Sequence, residues 1–148
     1  MIRMRNSRLC LAAVLGAAAA WGQPLPVNPL QGKYYVRHLL AVHAGGVFQD
    51  QRSLAGTAEF DGNGRFTITG SQRIGAGADA GFSTSGGYSV DLNGTVTLAN
   101  PQRAGAQIQA RLGRGMLVGS SVESGGGLYD LFVAVPAGTD RCLWHRWA

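Results

Sequence analysis

The chain has 148 residues, 13 basic against 8 acidic side chains, a formal net charge of +5 and 23 glycines, and 45% of its residues are hydrophobic. That length suits one domain with a real core and excludes two of ordinary size. The basic residues are scattered singly and Lys33 is the only lysine, which argues against nucleic-acid binding, where Lys and Arg would cluster on one face.

Residues 1–22 read as a secretory signal peptide. Arg3, Arg5 and Arg8 precede an apolar run from Leu9 to Ala20, and the small residues Ala20 and Gly22 place cleavage after Gly22. The run is about half of the ~20 residues that span a bilayer, so no transmembrane anchor is expected after cleavage. The expected location is secreted or periplasmic. Without the leader the balance is ten basic to eight acidic residues, net +2. The leader and the bias of Arg over Lys suggest a bacterial source. Cys10 departs with the leader and no lipobox precedes it. Cys142 is then alone, so the fold must rest on its core and not on disulfides.

Residues 23–31 hold three prolines and read as an extended segment. From residue 32 to 137 a single β domain is expected, punctuated about every ten residues by glycine-bearing turns. Lys33–Val42 is the longest run. Ser53–Phe60 puts Leu54, Gly56, Ala58 and Phe60 on one face. Asp61-Gly-Asn-Gly64 is a hairpin signal, and Arg65–Gly70 alternates with Phe66 and Ile68 inward. Residues 74–87 read as a Gly/Ala/Ser loop. Tyr88–Asp91 and Thr95–Leu98 form a second hairpin around Asn93-Gly94. Ala106–Leu112 places Ile108, Ala110 and Leu112 inside, and Met116–Val122 follows. Leu128–Val135 is apolar on both faces, as a central or closing strand would be.

About eight strands joined by short connections, with no helical periodicity outside the leader, make an all-β antiparallel meander. An open sheet would leave two exposed edges, so an up-and-down barrel is expected, with a β-sandwich as the alternative. The segment 138–148 departs in character: it carries Trp144, Trp147 and Cys142 after a domain that avoids both residue types. It reads as a partner-binding tail or as the remnant of a longer protein, the second being preferred.

No constellation carries chemistry. Gly75-Ala-Gly77-Ala-Asp-Ala-Gly81 nearly spells a dinucleotide fingerprint but opens no helix. Asp61-Gly-Asn-Gly64 starts like a calcium loop but lacks the late acidic ligand. Asn93-Gly-Thr95 matches a glycosylation acceptor and is already explained by its turn. His38, His43 and His145 share no metal-ligand spacing, and the serines lack a local base. No cofactor, metal or catalytic residue is therefore assigned. Glu59, Asp91 and Asp130 are the carboxylates that a barrel mouth could pair. Arg37 and His38 lie side by side in the longest strand, one on each face, and are read as a surface arginine beside a partly exposed histidine.

Gly32-Lys-Tyr-Tyr-Val-Arg-His-Leu-Leu, Phe60-Asp-Gly-Asn-Gly, Gly87-Tyr-Ser-Val-Asp, Asn100-Pro-Gln-Arg and Leu117-Val-Gly-Ser-Ser together resemble an uncharacterised β module of the N-terminal part of large secreted acidobacterial proteins. The resemblance covers residues 30–137 and transfers no functional residue. The Gly-x-aromatic first strand of a meander is also similar to lipocalin-like (calycin) barrels, without their other motifs or disulfide. Two functions are expected from this. The first is a secreted non-enzymatic β module for surface or extracellular interaction, with a protein partner. The alternative is a calycin-like barrel binding a small apolar molecule, with Tyr35, Arg37, Phe66, Ile68, Tyr88 and Leu131 as interior ligand contacts. An enzyme built in a barrel mouth is a third.

Overall fold

The computed structural model describes residues 30–121 and 127–138. The leader, most of the proline-bearing segment and the tail from residue 139 lie outside the described residues. Eight antiparallel strands follow in chain order: β1 (Gln31–Ala44), β2 (Val47–Asp61), β3 (Arg65–Ile74), β4 (Ala80–Val90), β5 (Thr95–Ala99), β6 (Gln107–Gly113), β7 (Met116–Ser120) and β8 (Leu128–Pro136). Each pairs with the next, and β8 returns to β1, so the sheet is a closed barrel. The all-β meander expected from the sequence is the fold, and the barrel replaces the sandwich alternative.

Strand alternation divides the side chains between inside and outside. Tyr34, Val36, His38 and Leu40 of β1 are buried, and their odd-numbered neighbours are exposed. The same period places Leu54, Ala58 and Phe60, then Phe66 and Ile68, then Val96, Leu98, Ile108, Ala110 and Leu117 in one core. Its lower end is aromatic. The Phe60 ring meets Tyr34 at 5.3 Å and Tyr88 at 5.2 Å edge-on, and Phe66 at 5.9 Å. The Tyr88 hydroxyl donates 2.7 Å to the carbonyl of Leu30, which is itself fully buried and floors the barrel. Leu30, two residues before the expected domain start, is therefore part of the barrel core.

The two hairpin signals behave as read. The Asp61 carboxylate accepts from the N–H of Asn63 at 2.7 Å and of Arg65 at 2.9 Å. Asp91 does the same for Asn93 and Thr95 at 2.8 and 2.7 Å. Gly64 and Gly94 supply the positive φ, 91° and 75°, that these turns need. The amide donors stabilise the charged form, so both carboxyls sit below their ordinary range.

One stretch differs from expectation. Of residues 74–87 only 75–79 form a connection: β4 occupies Ala80–Val90 and pairs with β3 from Arg65↔Gly87 to Gln72↔Ala80. The strand was hidden because its inward Phe82, Thr84 and Gly86 are interleaved with Gly81, Ser83, Ser85 and Gly87, so the run carries one large apolar side chain before Tyr88. A Cβ on Gly86 would lie 2.7 Å from Phe66 Cζ, so the Phe66 ring fills the place a side chain would take. β2 likewise begins at Val47, earlier than expected, because the β1–β2 hairpin runs on past the rim. There His43 and Phe48 stack edge-on with ring centroids 5.4 Å apart.

Candidate functional site

The barrel interior holds three of the six proposed ligand contacts. Phe66, Ile68 and Tyr88 point inward and are packed against other core side chains. Tyr35, Arg37 and Leu131 do not face the interior. Tyr35 is 61% and Leu131 48% exposed, and Arg37 is also exposed. Period-two alternation gives the reason: with Tyr34 and Val36 inside, 35 and 37 must be outside, and Phe132 inside sends Leu131 out.

The upper end of the interior is polar. His38 is fully buried, contrary to the partly exposed position expected of it. Its Nε2 donates to Oδ2 of Asp130 at 2.9 Å, and neither side chain reaches solvent. The same oxygen accepts from the Ser121 hydroxyl and from Asn100 Nδ2, each at 2.9 Å, and Asp130 Oδ1 accepts from the Ser121 N–H. Burial pushes the Asp130 carboxyl upward, but the hydrogen bonds from His38 and Ser121 outweigh it and hold the group below the ordinary carboxylate range.

The loop between β5 and β6 completes this plug. Asn100 Oδ1 accepts from the N–H groups of Gln102 and Arg103 at 2.9 and 3.0 Å. Gln102 then donates 3.0 Å to the His38 carbonyl, accepts 2.9 Å from Gln72, and offers its own carbonyl to Arg52 at 3.0 Å. Arg52 is held in turn by Asp50. Strands β1, β2, β3 and β8 are thereby tied to one loop across the mouth.

Serine, histidine and aspartate meet here, but not in the order nucleophilic catalysis needs. That order runs from nucleophile to base to orienting acid. Here Ser121 and His38 each bond the carboxylate, and among the described residues no hydrogen bond joins them. His38 Nδ1 is buried without a partner among the described residues. The described residues form no group of three or more His, Cys, Asp or Glu side chains able to hold a metal. Of the carboxylates proposed for a mouth, only Asp130 lies inside. Glu59 is exposed on β2 and Asp91 is spent on its turn.

The concave surface lies on the outside. A cleft of about 540 Å³ runs across β8, β1, β2 and β3, walled by Leu39, Tyr129, Leu131, Phe48 and Arg73. Register explains its shape. Leu131, Leu39, Ser53 and Arg73 form one outward row, and Tyr129, Ala41 and Gln51 the next. The small Ala41 and Ser53 make the floor. A second cleft of about 380 Å³ lies nearer the other pole, between Tyr35, Arg37, Ala55, Val133 and Val135. Together they form an apolar stripe along the seam where β8 closes on β1. The outward positions Thr67 and Thr69 on β3, Ser83 and Ser85 on β4, and Gln107 and Gln109 on β6 are polar and exposed.

Sequence reasoning missed both the plug and the stripe. Asp130 falls in the same period-two register as Phe132 and Ala134, so its inward position was readable. The stripe was present as the double-faced apolar character of Leu128–Val135. Compared with known proteins, the chain matches no family model, no curated protein and no solved structure.

Proposed function

We propose that the protein is a secreted, non-enzymatic β module that binds an extracellular protein partner through the outer face of β8 and β1. The observation that carries this reading is the contrast between inside and outside. Aromatic rings fill the lower interior, and the hydrogen-bonded plug from His38 to Gln102 closes the upper end. Half-exposed Leu39, Tyr129, Leu131 and Val118 gather on one outer face. Contiguous exposed apolar surface of this kind marks interaction sites in proteins otherwise covered by polar groups. A membrane-spanning barrel would need an apolar band all the way round, and the threonines, serines and glutamines of β3, β4 and β6 do not provide it. The packed interior weighs against the calycin-like reading, in which a lumen holds the ligand.

The test is site-specific photo-crosslinking in the medium or envelope of the producing cell. A photoreactive residue at Leu131 should join the protein to a discrete partner, and one at Thr69 on the polar side should not. Equal crosslinking from both positions would overturn the reading. So would saturable binding of an apolar fluorescent ligand that Ile68→Trp abolishes and Leu131→Asp leaves intact.

A further inference from the structure

We infer that residues 139–148 of the same chain fold back along the outer β8–β1 stripe, seating Trp144 and Trp147 in its clefts. The inference rests on the reading of that face as a docking surface and names what covers it in the free protein.

The described chain leaves the barrel beside the stripe. After β8 the N–H of Ala137 donates 2.9 Å to the carbonyl of Lys33, so the exit lies next to the start of β1. From Lys33 the upper cleft begins at Leu39, six residues along the strand and about 20 Å away at ~3.3 Å per residue. Six residues beyond Gly138, in extended form, also span about 20 Å and end at Trp144. Three more residues bring Trp147 to the level of Ala41 and Val42, under the overhang of Phe48. The lengths match without slack.

The chemistry matches as well. Cys142, Leu143, Trp144 and Trp147 concentrate apolar surface in ten residues. The stripe offers Tyr35, Leu39, Leu131 and Val135, interrupted by Arg37, whose cross-strand neighbours are Ala55 and Val133. Among the described residues no carboxylate pairs with Arg37. An indole over such a guanidinium gains a cation–π contact besides the burial of area. A second copy could offer the same groups, but a tether of this length holds the tail at an effective concentration in the millimolar range.

The experiment uses the full chain carrying Trp21→Phe, so that emission reports only Trp144 and Trp147. The native protein should emit to the blue of the denatured protein, with a shift independent of concentration. Leu39→Asp with Leu131→Asp should abolish the shift while far-UV circular dichroism stays that of the barrel, and the milder Leu39→Ser should reduce it. Emission at the denatured position in native buffer overturns the inference. A blue shift untouched by both variants, or one lost on dilution, also overturns it, the last result assigning the face to a second copy. Crosslinking of a foreign partner from Leu131 is scored separately, so a free tail with a partnered face is distinguishable from a covered face with no partner.

Discussion

Gly56 of β2 and Gly70 of β3 face each other in register, and neither position has room for a Cβ. A Cβ built on Gly56 would lie 2.9 Å from the Gly70 Cα, and one on Gly70 would lie 2.6 Å from the Gly56 Cα. Each would also overlap a carbonyl of the opposite strand. The two strands approach this closely because both residues lack side chains.

Gly70→Ala should therefore destabilise the barrel by about 1–3 kcal/mol, the range for forcing a methyl group into packed space. Gly81→Ala, where an added Cβ meets nothing within 4 Å, is the control. Urea denaturation of both variants measures the difference, and equal midpoints would contradict the packing described for β2 and β3.

Asp130→Ala removes the acceptor of the mouth plug and leaves four donors, from His38, Asn100 and Ser121, without it. Leaving buried hydrogen-bond donors unsatisfied costs about 1–3 kcal/mol each, together a large share of the stability of a domain this size. The same carboxyl sets a pH dependence. Its folded pKa lies below the unfolded value near 3.8. Its contribution is therefore fully present above that value and is lost as acid takes the pH down through the folded pKa. Melting temperature between pH 7 and pH 2 should fall less steeply in Asp130→Asn than in the parent protein. Parallel curves would show that the carboxylate does not carry the acid sensitivity.

Leu131 and Phe132 are neighbours with opposite fates. Phe132 is fully buried and Leu131 half-exposed. Phe132→Ala should cost about 3–5 kcal/mol, and Leu131→Ser should stay within roughly 0.5 kcal/mol, as surface changes do. Thermal denaturation of the pair reads out the alternation of β8 directly, and a reversed order would mean the strand's register is shifted by one.

Arg114 adopts φ 51° and Gly115 φ 79° in the β6–β7 turn. Two positive φ values in a two-residue hairpin suit Asn-Gly. Arg114→Asn should raise stability by about 0.5–1 kcal/mol by relieving left-handed strain. An unchanged or lower denaturation midpoint would refute it.

The sequence disclosed the fold through features that are local. Asp61-Gly-Asn-Gly64 and Asn93-Gly94 mark hairpins because turn chemistry is set within four residues. Phe66 and Ile68 mark an inner face because strand periodicity is set within two. β4 escaped notice because its inward Phe82, Thr84 and Gly86 stand among outward glycines and serines, and at Gly86 the space is filled by the Phe66 ring from another strand. The candidate site was hidden for a related reason. Tyr35, Arg37 and Leu131 cannot face the interior because their chain neighbours Tyr34, Val36 and Phe132 hold it. The plug joins Asp130 to Asn100, Ser121 and His38 from three other parts of the chain, and no spacing in one dimension announces such a meeting.

Closure of the barrel by its first and last strands also dictates a timetable. Val42 and Leu128 are paired although 86 residues apart, and Tyr34 and Pro136 although 102 apart. At roughly 5–20 residues per second of synthesis, the free edge of β1 waits about 5–20 s for the strand that covers it. During that interval the β8-facing edge of β1 is open, and the His38 imidazole lacks its carboxylate. A product stopped before residue 128 is consequently not a smaller barrel. It is an unclosed sheet with a strand-pairing edge, the form most prone to recruit its own kind.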